Sequence, residues 1–569
     1  MAKKILYWIF YASRPLTMSE IQHAMAVEIG DVDFDEDGIP DEELILSICT
    51  GLVVYEEEYG YLTLVHYTLQ QYFEGKAGLH FPKAEVDILR VCLTYLSFTE
   101  FGSGPCPQEH LFRRRMQQRP LLRYAVPNWG AHARGNAEEL CQNMILSFLS
   151  NDAKISSSIQ VLYVRNLAGR GHSHRFPKSV TALWIASFYG LTLTVRHLIR
   201  NGADMKWKTT IGDTALHRAV GSGHAEVVRL LLSDGADAST TDKSGNAPLH
   251  LAASRGPNVV FSTHIEIGHP FAFEVPWHRS EAIMLSLLAA GADVNAVNNH
   301  GETALNWASG YGQRGPTRLL LGHGADVTIK DYTDLAPLST AAQWGWEEVA
   351  RILLQYDLEK QAQQGILADA CRQAALQGCS SLLGHFLQTP YNHAIVDSEG
   401  RTLLHLASVA GNLQCVRILV SHGFDLNGLD SQKRSCLHHA AASVKSSEPI
   451  HYFLAKGLDA QQQDISGWTP LLWATKGGLH QNVTILLAVG ATSVVDVGRT
   501  SDAATKLSSG MNLMVAEALR PVSLPLLSMM GKCTVTMASD HPVSAICDGC
   551  EMVRPPGLCP TLFHYVSSN

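Results

Sequence analysis

The sequence predicts a mainly α-helical protein: a solenoid of about nine repeats, preceded by a small helical domain with a β-hairpin and by a helical connector. The main observation is a motif that recurs 33 residues apart, from Gly212-Asp-Thr-Ala-Leu-His217 to Gly245-Asn-Ala-Pro-Leu-His250. Self-similarity at this period is the signature of a repeat architecture. A second observation is length, because 569 residues exceed a single core. The third is that the first 75 residues lack the motif and show two helical segments and two short apolar runs around a turn.

The first position of the motif in each repeat, here called its heading, defines the predicted solenoid, residues 179–497. Nine headings are in phase, at positions 179, 212, 245, 301, 334, 367, 400, 433 and 467. The 56-residue gap before Gly301 implies an insertion at about 257–279. The 66-residue gap before Gly400 is twice the period, which predicts a degenerate repeat headed at 367.

The repeated residues have physical roles that predict two helices per repeat. Thr or Ser caps the first helix, and Pro is tolerated in its first turn. The following Gly supplies a left-handed end to that helix, and an apolar run such as Val-Val-Arg-Leu-Leu-Leu at 227–232 forms the second helix. A histidine recurs at the capping position, and we expect it to make a structural hydrogen bond rather than bind metal. These histidines are His217, His250, His405 and His438.

The period and these motif residues resemble the ankyrin repeat over more than half of the chain. The resemblance implies a curved wall whose concave face, made of hairpin tips and first helices, binds a protein partner. Aromatic residues and arginine commonly anchor such interfaces. The candidate partner-binding residues are Phe188, Tyr189, Ser254, Arg255, Tyr311, Gln343, Trp344 and Trp468.

Residues 1–80 are predicted to form a winged-helix domain, with Ser19 capping a helix and a hairpin from Leu52–Tyr55 to Tyr61–Val65. The segments RPLTMSEIQHA, CTGLVVYEEEYGYLTLVHYTLQQYF and NWGAHAR resemble the region after the ATPase domain in fungal NACHT–ankyrin proteins, which are STAND signalling ATPases. That resemblance implies a regulatory module and a helical connector over 81–178. The chain has no Gly-x-x-x-x-Gly-Lys-Ser/Thr motif, so ATP hydrolysis is not implied for it.

The tail, residues 498–569, loses the period and is predicted to be irregular. Its segment SDHPVSAICDGCEM resembles the opening of a ZZ-type zinc finger, with Cys547 and Cys550 at the spacing of a zinc knuckle. The further pairs of that family are missing, so an incomplete finger is predicted, with zinc on these two cysteines as the alternative. No other metal or cofactor is predicted. Asp33, Asp35 and Asp37 match the start of a calcium loop, but Leu44 occupies the position of its bidentate Glu, so an acidic loop is predicted.

Composition limits the remaining function classes. The net charge of −9 gives no global attraction to nucleic acid, and 12 scattered cysteines favour a reducing compartment. We expect a cytoplasmic or nuclear, soluble, non-secreted protein without a membrane span, and no Gly-x-Ser-x-Gly or His-Glu-x-x-His motif indicates an enzyme. Three hypotheses remain: a non-enzymatic scaffold for a protein partner, the regulatory half of a STAND ATPase that contacts a NACHT-type domain in cis or in trans, and nucleic-acid binding by the winged helix.

Overall fold

The structure is a computed structural model of the whole chain. It describes residues 1–58, 60–66, 68–73, 81–163, 176–254, 277–360, 364–389 and 395–491. Two predictions lie outside these residues. They are the partner-binding role of Arg255 together with most of the insertion, and the tail with Cys547 and Cys550.

The N-terminal domain contains the predicted helices and hairpin around a small sheet. Its elements are α1 (Ala2–Tyr11), β1 (Leu16–Thr17), α2 (Met18–Ala26), α3 (Glu42–Ile48), β2 (Val53–Glu56) and β3 (Tyr61–Leu64), and residues 68–73 are helical. The sheet order is β1-β3-β2, with both pairs antiparallel. Strand β1 is too short to show in the sequence pattern and was not predicted.

The prediction that Ser19 caps α2 is wrong by two residues. Thr17 is the cap, because its side chain accepts from the backbone N–H of Glu20 while the Glu20 carboxylate accepts from the backbone N–H of Thr17. Thr17 and Glu20 form the reciprocal capping box that a Thr-x-x-Glu spacing favours. The Glu20 carboxylate also binds Arg14, so the chain enters α2 at a fixed angle.

The connector after this domain is helical, as predicted. Its helices are α4 (Ala84–Leu96), α5 (Glu109–Gln118), α6 (Leu122–His132), α7 (Asn136–Leu140), α8 (Gln142–Leu149) and α9 (Asp152–Tyr163). Their buried aromatic residues continue the core of the N-terminal domain, and Trp8 of α1 contacts Tyr124 of α6 edge to face at 5.5 Å between ring centroids. The connector also caps the solenoid, since the Glu138 carboxylate accepts from the backbone N–H of Thr194 at 2.7 Å.

Paired helices follow eight of the nine predicted headings, and the pair at the heading of 367 begins before it. The first helices are α10 (Ala182–Tyr189), α12 (Ala215–Gly221), α14 (Pro248–Ala253), α16 (Ala304–Gly310), α18 (Pro337–Trp344), α20 (Gln364–Gln377), α22 (Leu403–Val409), α24 (Cys436–Ala441) and α26 (Pro470–Lys476). The second helices are α11 (Thr192–Arg200), α13 (Ala225–Ser233), α15 (Trp277–Ala289), α17 (Arg314–Gly322), α19 (Glu347–Lys360), α21 (Ser380–Leu387), α23 (Leu413–Ser421), α25 (Glu448–Ala455) and α27 (His480–Ala488). At most junctions the first helices pack more closely against one another than the second helices do, so the first helices line the inner side of the curve.

The degenerate repeat departs from the predicted phase at its start. Helix α20 begins at Gln364, before the heading at 367, and runs for 14 residues, whereas α16 has seven. Ala374, Ala375 and Gly378 nevertheless occupy the predicted positions, and both alanines are fully buried. The repeat therefore keeps its packing face although its helix starts earlier than in its neighbours.

The heading residue has a left-handed backbone in the other repeats, whichever residue occupies it. It is glycine in Gly212, Gly245, Gly301, Gly400 and Gly467, but Ser179, Asp334 and Lys433 also have φ of 59°, 65° and 56°. Side chains other than glycine rarely adopt this conformation. The turn is therefore imposed by the repeat, and glycine is the residue that suits it best.

Candidate partner-binding surface

Six hairpin tips are organised by an acidic or amide residue three positions before the heading. One side-chain oxygen of this residue accepts from two backbone N–H groups, as Asp464 does from Ser466 and Trp468 at 2.8 and 2.9 Å. The same pair of bonds is made by Asp242, Asn298, Asp331, Asp397 and Asp430. Side chains of Asn and Asp commonly form such turns. The tip therefore has one shape in six repeats.

Backbone hydrogen bonds join neighbouring tips in two runs, one over the first five repeats and one over the last three. Lys243 N–H donates to the Ile211 carbonyl at 3.1 Å, and Tyr332 N–H donates to that of His300 at 2.9 Å. Asn299 N–H donates to the Ser244 carbonyl at 2.9 Å, across the insertion in the third repeat. Each run thus forms a continuous edge, and among the described residues no such bond links the two runs at the degenerate sixth repeat.

The recurring histidines make the structural hydrogen bonds that were predicted. In His217 and His438, Nδ1 accepts from the backbone N–H of the cap residue, at 3.3 and 3.1 Å, and Nε2 donates to a carbonyl of the next repeat at 3.1 Å. His250 does the same, and Asn306 replaces histidine in the fourth repeat with an equivalent amide pair. His405 differs, because its Nε2 has no hydrogen-bond partner in the described part of the chain.

The position after this histidine faces the inner side and is fixed by a carboxylate of the adjacent tip. Trp307 Nε1 donates to Glu302 at 2.8 Å, and Trp473 Nε1 donates to Asp464 at 2.9 Å. Two further pairs follow the same rule, Arg218 with Asp213 and His439 with Asp430. Because one end of each side chain is held by an acid, these groups are fixed in place; Trp307 and Trp473 remain partly exposed, whereas Arg218 and His439 are buried.

The surroundings of Asp430, which is paired with His439, favour its charged carboxylate form. Although burial raises the pKa of Asp430, hydrogen bonds from His439 and Arg434 outweigh that effect and hold it well below its usual range. Burial lowers the pKa of His439, so the ring is a neutral donor near neutral pH. The negative charge of this carboxylate is therefore balanced by Arg434, while His439 contributes a hydrogen bond from a neutral ring.

Several of the candidate residues lie together on the inner face. Trp344 ends α18 with 65% of its surface exposed, beside the partly exposed Gln343. Tyr311 is partly exposed at the equivalent position of the preceding repeat and contacts Trp307 edge to face at 6.2 Å between ring centroids. These residues form a patch across the fourth and fifth repeats, which we call the central patch (Tyr311, Gln343 and Trp344).

Trp468 lies apart from this patch, at the last hairpin tip. It is partly exposed and contacts Trp473 edge to face at 6.0 Å between ring centroids. Phe188 lies at the other end of the solenoid, where its ring stacks on the buried Trp184 at 5.8 Å and is itself only partly exposed. These two side chains are separated from the central patch along the solenoid.

Tyr189 and Ser254 are buried, so neither presents a side chain to a partner. Ser254 donates to the Leu251 carbonyl of its own helix at 2.8 Å. Tyr189 is 6% exposed, and its hydroxyl donates to the carbonyl of Val126 in the connector. We therefore leave both residues out of the proposed surface.

Tyr189 is instead the anchor between connector and solenoid. Its ring lies 4.7 Å from that of Trp129, and Arg134 donates to its carbonyl at 3.1 Å. Gly130 lies directly under the ring, where a β-carbon would come within 2.1 Å of Tyr189 Cγ. Trp129 and Gly130 of the segment NWGAHAR are therefore both packed against Tyr189 at this junction.

Sequence reasoning missed the exposed apolar side chains on the tip edge. Tyr332 is 78% exposed and Ile465 is 57% exposed, each two positions before its heading. Val297, Val396 and Leu429 are exposed four positions before theirs. The spacing from the heading could have predicted this exposure. The residue two positions before a heading donates its backbone N–H to the previous repeat, so its side chain points outward.

Comparison with known families identifies the repeats. The family model described as ankyrin repeats matches residues 183–262, 277–364 and 370–464, in three copies. The solenoid is built of ankyrin repeats. A second family model, described as the winged helix domain of GPI inositol-deacylase, matches residues 1–82. The mainly helical ankyrin fold with an N-terminal winged helix is therefore confirmed, while the affiliation with NACHT–ankyrin proteins and the domain boundaries stay predictions.

The described ranges contain no cluster of three or more His, Cys, Asp and Glu side chains suited to a metal ion. None of the helices described is both long enough and apolar enough to cross a bilayer. The eight cysteines in these ranges are free thiols.

Proposed function

We propose that the ankyrin solenoid binds a protein partner on its inner face, with the central patch as the main contact. The exposure of Trp344 carries this proposal, because a large aromatic side chain gains most from burial when it is held rigidly at an interface. Tyr311 and Gln343 extend the patch, and the exposed Tyr332 lies on the neighbouring tip. Ankyrin repeats are a protein-interaction fold, which supports a scaffold as the function.

Further support comes from the rigidity of the surface. Helix α18 ends at Trp344 because Gly345 is left-handed, with φ of 72°, and its backbone N–H bonds back to the helix. The indole of the neighbouring Trp346 donates to the Gly310 carbonyl at 2.7 Å. A surface fixed in this way loses little conformational entropy on binding.

The experiment places a photo-crosslinking amino acid at position 343 of the full-length chain and exposes it to native lysate. The matched position is Leu285, an exposed apolar residue on the second helix α15, away from the inner face. A partner cross-linked from 343, absent from 285 and lost on Trp344→Ala but not on Leu285→Ala supports the proposal. Equal labelling from both positions contradicts it. The full chain is used because excising the repeats would expose Tyr189 and its contacts with the connector.

A second candidate is a regulatory part of a STAND-type signalling protein. It is favoured by the continuous packing from Trp8 through Tyr124 and Trp129 to Tyr189, which links the winged-helix domain to the first repeat. Through this packing, a conformational change in the first repeat would alter the position of the winged-helix domain. This candidate predicts that a separately expressed NACHT-type domain binds the chain, and that Gly130→Ala weakens the binding; a full chain that binds no such domain in a titration contradicts it.

Nucleic-acid binding by the winged helix has less support. The hairpin tip carries the exposed acids Glu56, Glu57 and Glu58, and α3 begins with the exposed Glu42 and Glu43. These carboxylates would repel a phosphate backbone. The net charge of −9 adds to that repulsion.

A further inference from the structure

The inner face of the last repeat contains an aromatic corner formed by Trp468 and Trp473, whose ring planes meet at 65°. One carboxylate positions both residues. Asp464 Oδ1 accepts from the backbone N–H of Trp468 at 2.9 Å, and Asp464 Oδ2 accepts from the indole of Trp473 at 2.9 Å. The corner is therefore preorganised, and the exposed Ile465 extends its apolar surface along the tip.

An ammonium group lies over this corner. Lys476 Nζ is 5.0 Å from the ring centroid of Trp468 and 5.5 Å from that of Trp473. Lys476 is exposed, and among the described residues its ammonium forms no ion pair. Its charge is held only by the weak attraction of the two aromatic faces, which leaves it available to a carboxylate.

The carboxylates around the corner are already bound within the protein. Asp430 accepts from Arg434 and His439 at 2.6 and 2.9 Å, and Glu399 accepts from Arg434 at 2.7 Å. Lys433, at the heading of the eighth repeat, is exposed and has no ion-pair partner in the described part of the chain. Lys433 and Lys476 therefore remain available to a carboxylate from outside the protein.

The last two repeats contain more basic than acidic residues. Residues 433–491 contain five Lys and Arg against three Asp and Glu, although the whole chain has a net charge of −9. Exposed lysines without a carboxylate partner, on a protein that is acidic as a whole, favour acidic partners and disfavour basic ones. We propose that this surface binds an acidic protein segment that carries an apolar side chain. Its carboxylates meet Lys433 and Lys476, and the apolar side chain packs on Trp468 and Ile465.

The inference rests on the proposed scaffold function and adds the chemistry of one partner segment. A carboxylate of the bound segment forms an ion pair with the Lys476 ammonium, and the two indoles partly shield this pair from water. Shielding strengthens an ion pair relative to one that is fully exposed. The aromatic corner supplies the apolar contact, so that both parts of the segment are needed for binding.

The test measures binding of short fluorescein-labelled peptides to the full-length chain by fluorescence anisotropy. One peptide repeats Asp-Asp-Phe, and its matched counterparts repeat Asn-Asn-Phe and Lys-Lys-Phe. The double variant Lys433→Glu/Lys476→Glu reverses the patch, and Lys433→Gln/Lys476→Gln removes its charge with less risk to folding. The matched control is Lys206→Glu/Lys243→Glu, which reverses two exposed lysines on the tips of the first repeats.

The expected result is that the Asp peptide binds most tightly and that reversal at 433 and 476 weakens it by about tenfold or more, while the control changes it by about twofold or less. Ile465→Ser should weaken the Asp peptide as well. Equal affinity of the Asp and Asn peptides overturns the inference, and so does an equal loss in the two reversal variants or tighter binding of an oligonucleotide of the same charge. A partner cross-linked from position 343 together with any of these outcomes would leave the scaffold function intact and remove only this inference.

Discussion

The ring of Tyr189 in the first ankyrin repeat covers the α-carbon of Gly130 in the connector, with no room for a methyl group between them. The contact closes a junction in which Trp129 and Arg134 also bind Tyr189. It makes the first repeat and the connector one packed unit. A mutation at this point therefore tests whether the two regions unfold together.

We expect Gly130→Ala to lower the free energy of unfolding by about 1–3 kcal/mol, because the added carbon forces Tyr189 out of its site. The measurement is urea unfolding followed by tryptophan fluorescence, to which Trp129 contributes along with the other nine tryptophans. The control is Gly102→Ala, where a β-carbon would meet no atom within 4 Å. Equal effects of the two substitutions would show that the close approach does not matter.

The left-handed heading predicts opposite effects for two exchanges of glycine and serine. Ser179→Gly should raise the free energy of unfolding by about 0.5–1 kcal/mol, because it removes strain at φ of 59°. Gly245→Ser should lower it by about 2 kcal/mol or more, since its β-carbon would lie 2.6 Å from the backbone nitrogen of Asn299. Thermal unfolding followed by circular dichroism checks both, and a stabilising Gly245→Ser would contradict the heading rule.

His438 and His405 provide a matched pair for the contribution of the hydrogen bond between repeats. Both accept from the backbone N–H of their cap residue at 3.1 Å, but only His438 donates to the next repeat, at 3.1 Å to the Trp468 carbonyl. We expect His438→Ala to cost about 1 kcal/mol more than His405→Ala, because it leaves a buried carbonyl without its donor. Hydrogen exchange of the last repeat gives a local readout, and equal protection in the two variants would argue against this bond.

Lowering the pH should destabilise the protein. Burial lowers the pKa of His23, His132 and His405 to about 4, helped by Arg119 at His23 and by His439 at His405. In the unfolded chain these side chains titrate near 6.5, so between pH 6.5 and 4 the unfolded state binds more protons. Each histidine should remove about 2 kcal/mol of stability between pH 7.5 and pH 5. Melting temperatures across this range test the prediction.

His132→Gln supplies the control for the pH experiment. Glutamine keeps a polar group near the Tyr124 hydroxyl, which lies 2.7 Å from His132 Nε2, but it does not titrate. The variant should be less stable at pH 7.5 and should lose less stability on acidification than the wild type. An unchanged slope would show that His132 is not buried in its neutral form.

The period predicted the solenoid well, because each repeat needs the same few residues in the same places. Leu216 and Ala219, for example, are buried as their motif positions require. The candidate surface was harder to predict from the variable positions. Tyr189 sits at the position equivalent to Tyr311 and Trp344, but as part of the first repeat it faces the connector instead of an open inner face. Sequence within one repeat does not say what lies beside the terminal repeat.

Local pattern also failed where contacts come from distant segments. Strand β1 forms because Leu16 and Thr17 find partners in Leu62 and Tyr61, far along the chain. The early start of α20 before the heading at 367 had no signal in the motif. The lack of a carboxylate partner for Lys433 and Lys476 among the described residues was hidden for a related reason, since the fold pairs Glu399 and Asp430 with Arg434 instead.

The bond between Asn299 and Ser244 has a consequence for how such proteins diversify. The chain between these two tips is longer than one period, yet the tips meet at 2.9 Å, as in repeats without an insertion. Extra sequence between the two helices of a repeat therefore leaves the pitch of the tip edge unchanged. A ligand that spans these tips meets the same spacing with or without the insertion, so that such insertions can be gained or lost without moving its contact points.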